Sequence, residues 1–164
     1  MNRSNISGDP SAAESSDAAD SMPILLTKLH RPGIGPSLER RTSLLERLER
    51  NCHRPLTLIS APAGYGKTSL ASMWLQTSDC ASAWVSLDER DDDLLTFTTY
   101  LLTAARGAFP ALQRKTQALL QAPATPSAST LARYLMNDLQ QIPDRFILAL
   151  DDIHPVSYTH LASP

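Results

Sequence analysis

The chain has 164 residues, 42% hydrophobic and 20% charged, enough apolar content to bury a core and to exclude a wholly disordered polypeptide. Fifteen Lys and Arg against seventeen Asp and Glu leave a formal charge of −2, which argues against a generally basic nucleic-acid-binding chain but leaves a local patch open. Cys52 and Cys80 form neither a metal knuckle nor a disulfide framework, and no apolar run approaches the ~18 residues of a membrane span, so the expectation is a soluble cytoplasmic domain.

Residues 1–22 carry six Ser, four Ala and four acids, with few large apolar side chains, and are expected to be a disordered tail. A domain is expected over residues 23–154, beginning near Pro23-Ile24-Leu25-Leu26. Arg31-Pro32-Gly33-Ile34-Gly35-Pro36 reads as a loop from its Pro and Gly content. A short amphipathic helix carrying Leu38, Leu44, Leu45 and Leu48 should follow, with Ser37 or Thr42 as its cap. Between Lys28 and Arg54 lie seven bases and three acids, read as a solvated helix face. Leu56-Thr57-Leu58-Ile59-Ser60, behind Pro55, has the compact apolar character of a buried strand.

Lys67 to Thr77 suits a helix, with Leu70 and Trp74 four apart. Ala83-Trp84-Val85-Ser86-Leu87 reads as a second strand. It ends in residues 88–93, five acids and one base, which the partial positive charge of the following helix start explains better than a direct ligand role. Leu94, Phe97, Leu101, Ala105 and Ala108 step by three and four, the helical period. Residues 112–120 form a weaker helical pattern, 122–127 a linker, and Leu131, Leu135, Leu139 and Ile142 a last helix. Phe146-Ile147-Leu148-Ala149-Leu150 is the third buried strand. This alternation is that of an α/β fold, with helices on both faces of a mainly parallel sheet and three core strands recognisable.

One motif carries the chemistry: Ala61-Pro62-Ala63-Gly64-Tyr65-Gly66-Lys67-Thr68, followed by Ser69. It leaves an expected strand and opens an expected helix, the context of a phosphate-binding loop. Small residues let successive backbone N–H groups converge on phosphate oxygens, and the helix start adds partial positive charge. Gly64 and Gly66 permit positive φ, Lys67 can reach the β- and γ-phosphates, and the Thr68 hydroxyl can ligate Mg²⁺. Average residue usage puts a chance match in a chain of this length at roughly one in a hundred, so the signal is specific. The third expected strand ends in Asp151-Asp152. Asp151 is the candidate for orienting the metal, through water, and Asp152 for positioning the attacking water as a general base. His154 is a weaker candidate.

Taken in order, Thr27-Lys28-Leu29-His30-Arg31-Pro32, Arg41-Thr42-Ser43-Leu44-Leu45, the 60–68 loop, Trp84-Val85-Ser86-Leu87-Asp88-Glu89 and Leu150-Asp151-Asp152-Ile153-His154 resemble the N-terminal P-loop ATPase of MalT-like, LuxR-family transcriptional regulators, which belong to the STAND class. The resemblance spans residues 24 to 154. It implies a three-layer α/β/α P-loop NTPase that binds ATP with Mg²⁺, hydrolyses it slowly and switches state with nucleotide. Full-length members would bind DNA and self-associate, but no DNA-binding element is recognisable here. Residues 155–164 do not align with the family pattern. The expectation is a front portion of a larger protein, either a truncated product or a partial reading frame, with 155–164 unassigned and a non-native end one reading of it. In this ATPase class another strand separates the phosphate-loop strand from the acidic one. Without it, 56–60 and 146–150 must either pair directly or leave backbone groups unpaired. The competing readings are a small P-loop kinase acting on a metabolite and a non-enzymatic interaction fragment.

Overall fold

The computed structural model describes residues 24–36, 38–110, 112, 115–124 and 126–153, so both expected tails, Pro23, Ser37 and His154 lie outside it. A 3-10 turn at Leu26–Leu29 precedes α1 (Thr42–Arg50), whose Leu45 and Leu48 turn inward. Thr42 is the first residue of α1 rather than its cap. Arg41 holds the cap position without a side-chain hydrogen bond, and Leu38 lies ahead of the helix. Arg47 and Arg50 fall in the last turn, where cations suit the negative end of the helix.

Next comes α2 (Lys67–Thr77), with the bounds expected from its pattern. It buries Leu70, Met73, Trp74 and Leu75, and the Trp74 indole N–H donates to the Glu49 carboxylate at 2.8 Å, tying α2 to α1. The sheet consists of β1 (Ala81–Ser86) and β2 (Phe146–Asp151), parallel, in a register running from Ala81 opposite Phe146 to Ser86 opposite Asp151. The Leu87 amide extends the ladder by donating to the Asp151 carbonyl at 3.0 Å. Between the strands run a 3-10 turn at Glu89–Asp91, α3 (Leu94–Ala108), α4 (Lys115–Leu120) and α5 (Ala128–Leu139), the helical crossover that parallel strands require.

Alternation along the strands builds two cores. Trp84 joins Leu45, Leu48, Leu70, Met73, Trp74 and Leu75, with Ile147 and Ala149 packed against them, on the α1–α2 face. Ala83 and Val85 join Tyr100, Leu101 and Ala104 on the other face, where Leu148, Leu150 and Leu135 pack. Helices therefore cover both sides of the sheet, and the architecture is an incomplete α/β fold of three layers.

The acidic stretch is used for local structure. Asp88 caps the 3-10 turn and Asp93 caps α3, accepting from the Thr96 amide at 2.8 Å. Lys28 lies across both ends of the turn, 2.9 Å from Asp88 and 2.6 Å from Asp91, with Tyr100 beneath its ammonium group. Burial works against the charge on Lys28, but the bonds to Asp91 and Asp88 outweigh it and raise its pKa. The same contact with Lys28, helped by the Arg90 amide, holds the Asp88 carboxyl below its ordinary value.

One expected strand is absent. Among the described residues the sheet has two strands, not three, and the 56–60 segment is not one of them. Of the two outcomes foreseen for that segment, the unpaired one is observed among the described residues: none of them makes a backbone hydrogen bond to it, and Leu56 and Leu58 are 80% and 82% exposed. A run of β-forming residues becomes a strand only when a neighbour supplies the ladder, and among the described residues β2 makes its ladder with β1 alone. No helix among the described residues is long and apolar enough to cross a membrane.

Candidate phosphate-binding site

The 61–69 loop is built as its composition requires. Gly64 and Gly66 have φ of 80° and 74°, in the left-handed region that a β-carbon disfavours. Gly66 is also the cap residue of α2, and having no side chain it makes no capping bond. The Tyr65 amide closes the loop on the Pro62 carbonyl at 3.4 Å, and the Leu70 amide begins the helix by donating to Gly66 at 2.9 Å. The intervening amides of Gly66, Lys67, Thr68 and Ser69 have no acceptor among the described residues, and the same holds for Ala63 and Gly64. A helix start that is uncapped and joined to a glycine turn in this way concentrates free donors and positive potential at one place.

Side chains join from three directions. Lys67 rests its ammonium group on the Pro62 carbonyl at 3.3 Å, so the cation lies over the loop to which it belongs. The Thr68 hydroxyl donates to a carboxylate oxygen of Asp151 at 3.0 Å, joining the first turn of α2 to the end of β2 across 83 residues of sequence. Asp151 belongs to β2 rather than following it, so its backbone is held by the sheet while its side chain faces the loop. Burial pushes the Asp151 carboxyl above its ordinary value, opposed by the Thr68 bond and aided by the charge of Asp152. Asp152 is exposed and has φ of 54°, a left-handed turn that Asp tolerates better than most residues. Its side chain makes no hydrogen bond to the loop among the described residues. Tyr65 is 59% exposed at the tip, and Ser69 stays half-buried in the first helical turn.

This places Ala61, Pro62, Ala63, Gly64, Tyr65, Gly66, Lys67, Thr68 and Ser69 in one loop-to-helix unit with Asp151 against it, and leaves Asp152 beside rather than within the cluster. Chemically the unit offers backbone donors, one mobile ammonium group and two hard oxygens, a set that suits an anion accompanied by a hard cation. Among the described residues no group of three His, Cys, Asp or Glu side chains could hold a metal by itself.

Beside the loop lies a cleft of about 570 Å³ between α1 and the 56–61 segment. Arg41, Arg47 and Arg54 line it together with Lys67, and no acid among the described residues does. The basic stretch was expected to be only a solvated face. The spacing 41, 44, 47/48 and 51, a single helical face, is the signal that would have grouped these residues.

No protein-family model matches the chain. It is 34% identical over 134 residues, 82% of its length, to the HTH-type transcriptional regulator MalT of Yersinia pestis (strain Pestoides F). It is 30% identical over 132 residues, 78% of its length, to the serine/threonine-protein kinase PknK of Mycobacterium tuberculosis (strain ATCC 25618 / H37Rv). The chain spans 15% of the first protein and 12% of the second. Fold and site thus define an α/β module with a candidate anion-binding loop, similar over most of its length to a segment of MalT and to a segment of PknK.

Proposed function

We propose that the chain is an ATP-binding, weakly ATP-hydrolysing switch module of the kind carried by MalT-like transcriptional regulators. The observation that carries this reading is the Thr68–Asp151 contact at 3.0 Å, because it brings a hydroxyl from the loop and a carboxylate from the strand end to one point. In this reading the free amides of the 63–69 stretch hold the phosphates, and Lys67 leaves the Pro62 carbonyl for the terminal phosphate oxygens. The hard oxygens of Thr68 and Asp151, the latter through water, suit Mg²⁺, which would supply charge neutralisation on the phosphates. Asp152, exposed at the turn that follows, positions a water molecule and takes its proton.

The two relatives bear names of different activities, a regulator and a kinase. Matches of 134 and 132 residues within a chain of 164 must overlap, which favours a module common to both over the chemistry of either name. DNA contact would then belong to other parts of such a regulator. Titration of the chain with a fluorescent ATP analogue, with and without Mg²⁺, tests the reading. Lys67→Ala should weaken Mg²⁺-dependent binding at least about tenfold, the scale of one lost charge-assisted hydrogen bond. Equal binding by both proteins would overturn it.

A further inference from the structure

Residues 24–34 form a strap that touches both supports of the Thr68–Asp151 contact. Lys28, its side chain 12% exposed, grips the turn that follows β1: its ammonium group lies 2.8 and 2.6 Å from the two carboxylate oxygens of Asp91 and 2.9 Å from Asp88. Tyr100 holds the strap from beneath, with its ring 5.2 Å from that ammonium group and its hydroxyl accepting from the Leu25 amide at 3.2 Å. Further along, the Pro32 carbonyl accepts from the Ser72 hydroxyl of α2 at 2.6 Å, and Ser72 is buried. Ile24 and Leu29 pack on the α3 side of the sheet and Ile34 on the α1–α2 side, so the strap passes from one layer to the other. Asp91 also accepts from the Asp88 amide at 2.8 Å, so removing the cation leaves a buried carboxylate without its ion pair. One residue before Asp88, the Leu87 amide donates to the Asp151 carbonyl, just beyond the Ser86–Asp151 pair and where the chain turns left-handed at Asp152. A strand end held by such a terminal bond frays unless the donor's own segment is fixed.

We propose that Lys28 is a positioning residue for Asp151. By locking the turn behind Leu87 it fixes the end of β2, and the strap that carries it ties that end to the helix bearing Thr68. The two hard oxygens then stand at a fixed separation for a divalent cation that accompanies the nucleotide. The role toward the cation rests on the nucleotide reading above, whereas the hold on the strand end does not. An anchor that only stabilised the chain would not distinguish binding with Mg²⁺ from binding without it.

Two measurements on the full chain test it. In the nucleotide-free protein, Lys28→Met should speed hydrogen exchange at the Leu87 amide at least about tenfold relative to that at Val85 within β1. Lys28→Arg, which can still bridge both carboxylates, should restore the slow exchange. In titrations with a fluorescent ATP analogue, Lys28→Met should lose about tenfold in affinity with Mg²⁺ and less than about twofold in EDTA, the scale on which outer partners of metal-binding groups act. Lys28→Arg should recover most of the loss. Asp138→Ala, a buried replacement outside the strap, controls for lowered stability and should leave the ratio of the two affinities unchanged. Asp88→Asn loosens the same clamp at a half-exposed side chain, and should shift the ratio in the direction of Lys28→Met even where that variant does not fold. Exchange at Leu87 that ignores Lys28→Met, or equal losses with Mg²⁺ and in EDTA, would overturn the proposal. So would the same change of ratio in Asp138→Ala, or an unchanged ratio in Asp88→Asn. Equal binding by the unaltered chain with and without Mg²⁺ would instead refute the nucleotide reading, and exchange at Leu87 then decides by itself whether Lys28 holds the strand end.

Discussion

Replacing Gly66 by Ala isolates the backbone conformation on which the proposed phosphate site rests. A β-carbon added at Gly66 would meet no heavy atom within 4 Å beyond its own chain neighbours, so overlap with the rest of the described fold contributes nothing. What remains is the cost of holding a residue with a side chain at φ of 74°, about 1–2 kcal/mol. For a domain of this size that lowers the melting temperature by about 3–8 °C. Gly107 is the control. It lies within α3, an added β-carbon would meet nothing within 4 Å beyond its chain neighbours and the helix's own backbone, and its φ is not positive, so Gly107→Ala should stabilise by about 0.5–1 kcal/mol. Urea unfolding measures both, and titration with Mg·ATP measures the consequence. Gly66→Ala should lose stability and affinity together, because a chain that relaxes out of the left-handed region turns the amides of Lys67 and Thr68 away from their common focus. Gly107→Ala should gain stability with affinity unchanged. Shifts of the same sign for both glycines, or full nucleotide affinity in Gly66→Ala, would refute the reasoning.

Three further outcomes are expected. Asp138 is fully buried and accepts from the Thr116 amide at 2.9 Å and the Thr116 hydroxyl at 2.6 Å. Asp138→Ala strands both donors and should cost about 3 kcal/mol in urea unfolding, with Asp138→Asn costing less because one oxygen can still accept. Asp151 has a raised pKa in the folded chain, so its ionised form disfavours folding. Its contribution to stability is fully present below the ordinary carboxylate pKa and is lost as pH rises through the raised value. Asp151→Asn keeps an acceptor for Thr68 and should therefore raise the melting temperature of the nucleotide-free protein at pH 7, with no gain at pH 3, while weakening Mg·ATP binding. Asp88 has the opposite sign. Its pKa is lowered chiefly by Lys28, so its contribution is present above the ordinary carboxylate pKa and is lost as pH falls through the lowered value. Lys28→Met should flatten that acid limb of the stability profile.

Elements with their own periodicity and terminal chemistry were legible in the sequence. The bounds of α2 and α3 follow from a helical pattern that begins behind Gly66 in one case and Asp93 in the other, a left-handed turn and a side-chain cap. Elements defined by a partner were less so. The first strand begins at Ala81 rather than Ala83, because its end is set by pairing with Phe146, 65 residues away. The 56–60 run has the composition of a strand, but composition does not supply a neighbour. The same distinction divides the site. Local geometry placed the loop glycines, Lys67 and Thr68, and the strand exit placed Asp151. The raised pKa of Asp151 and the clamp of Lys28 on Asp88 and Asp91 depend on burial and on contacts across sixty or more residues, and no local pattern signals either.

The free amides of the 63–69 stretch are the core of the account, and hydrogen exchange reads them one by one. Adding ATP with Mg²⁺ to the full chain should slow exchange at Gly64, Gly66, Lys67, Thr68 and Ser69 and leave β1 and α5 unchanged, with the slowing lost in Lys67→Ala. Saturating nucleotide that leaves those five amides exchanging at their original rates would contradict the assignment of this loop to phosphate.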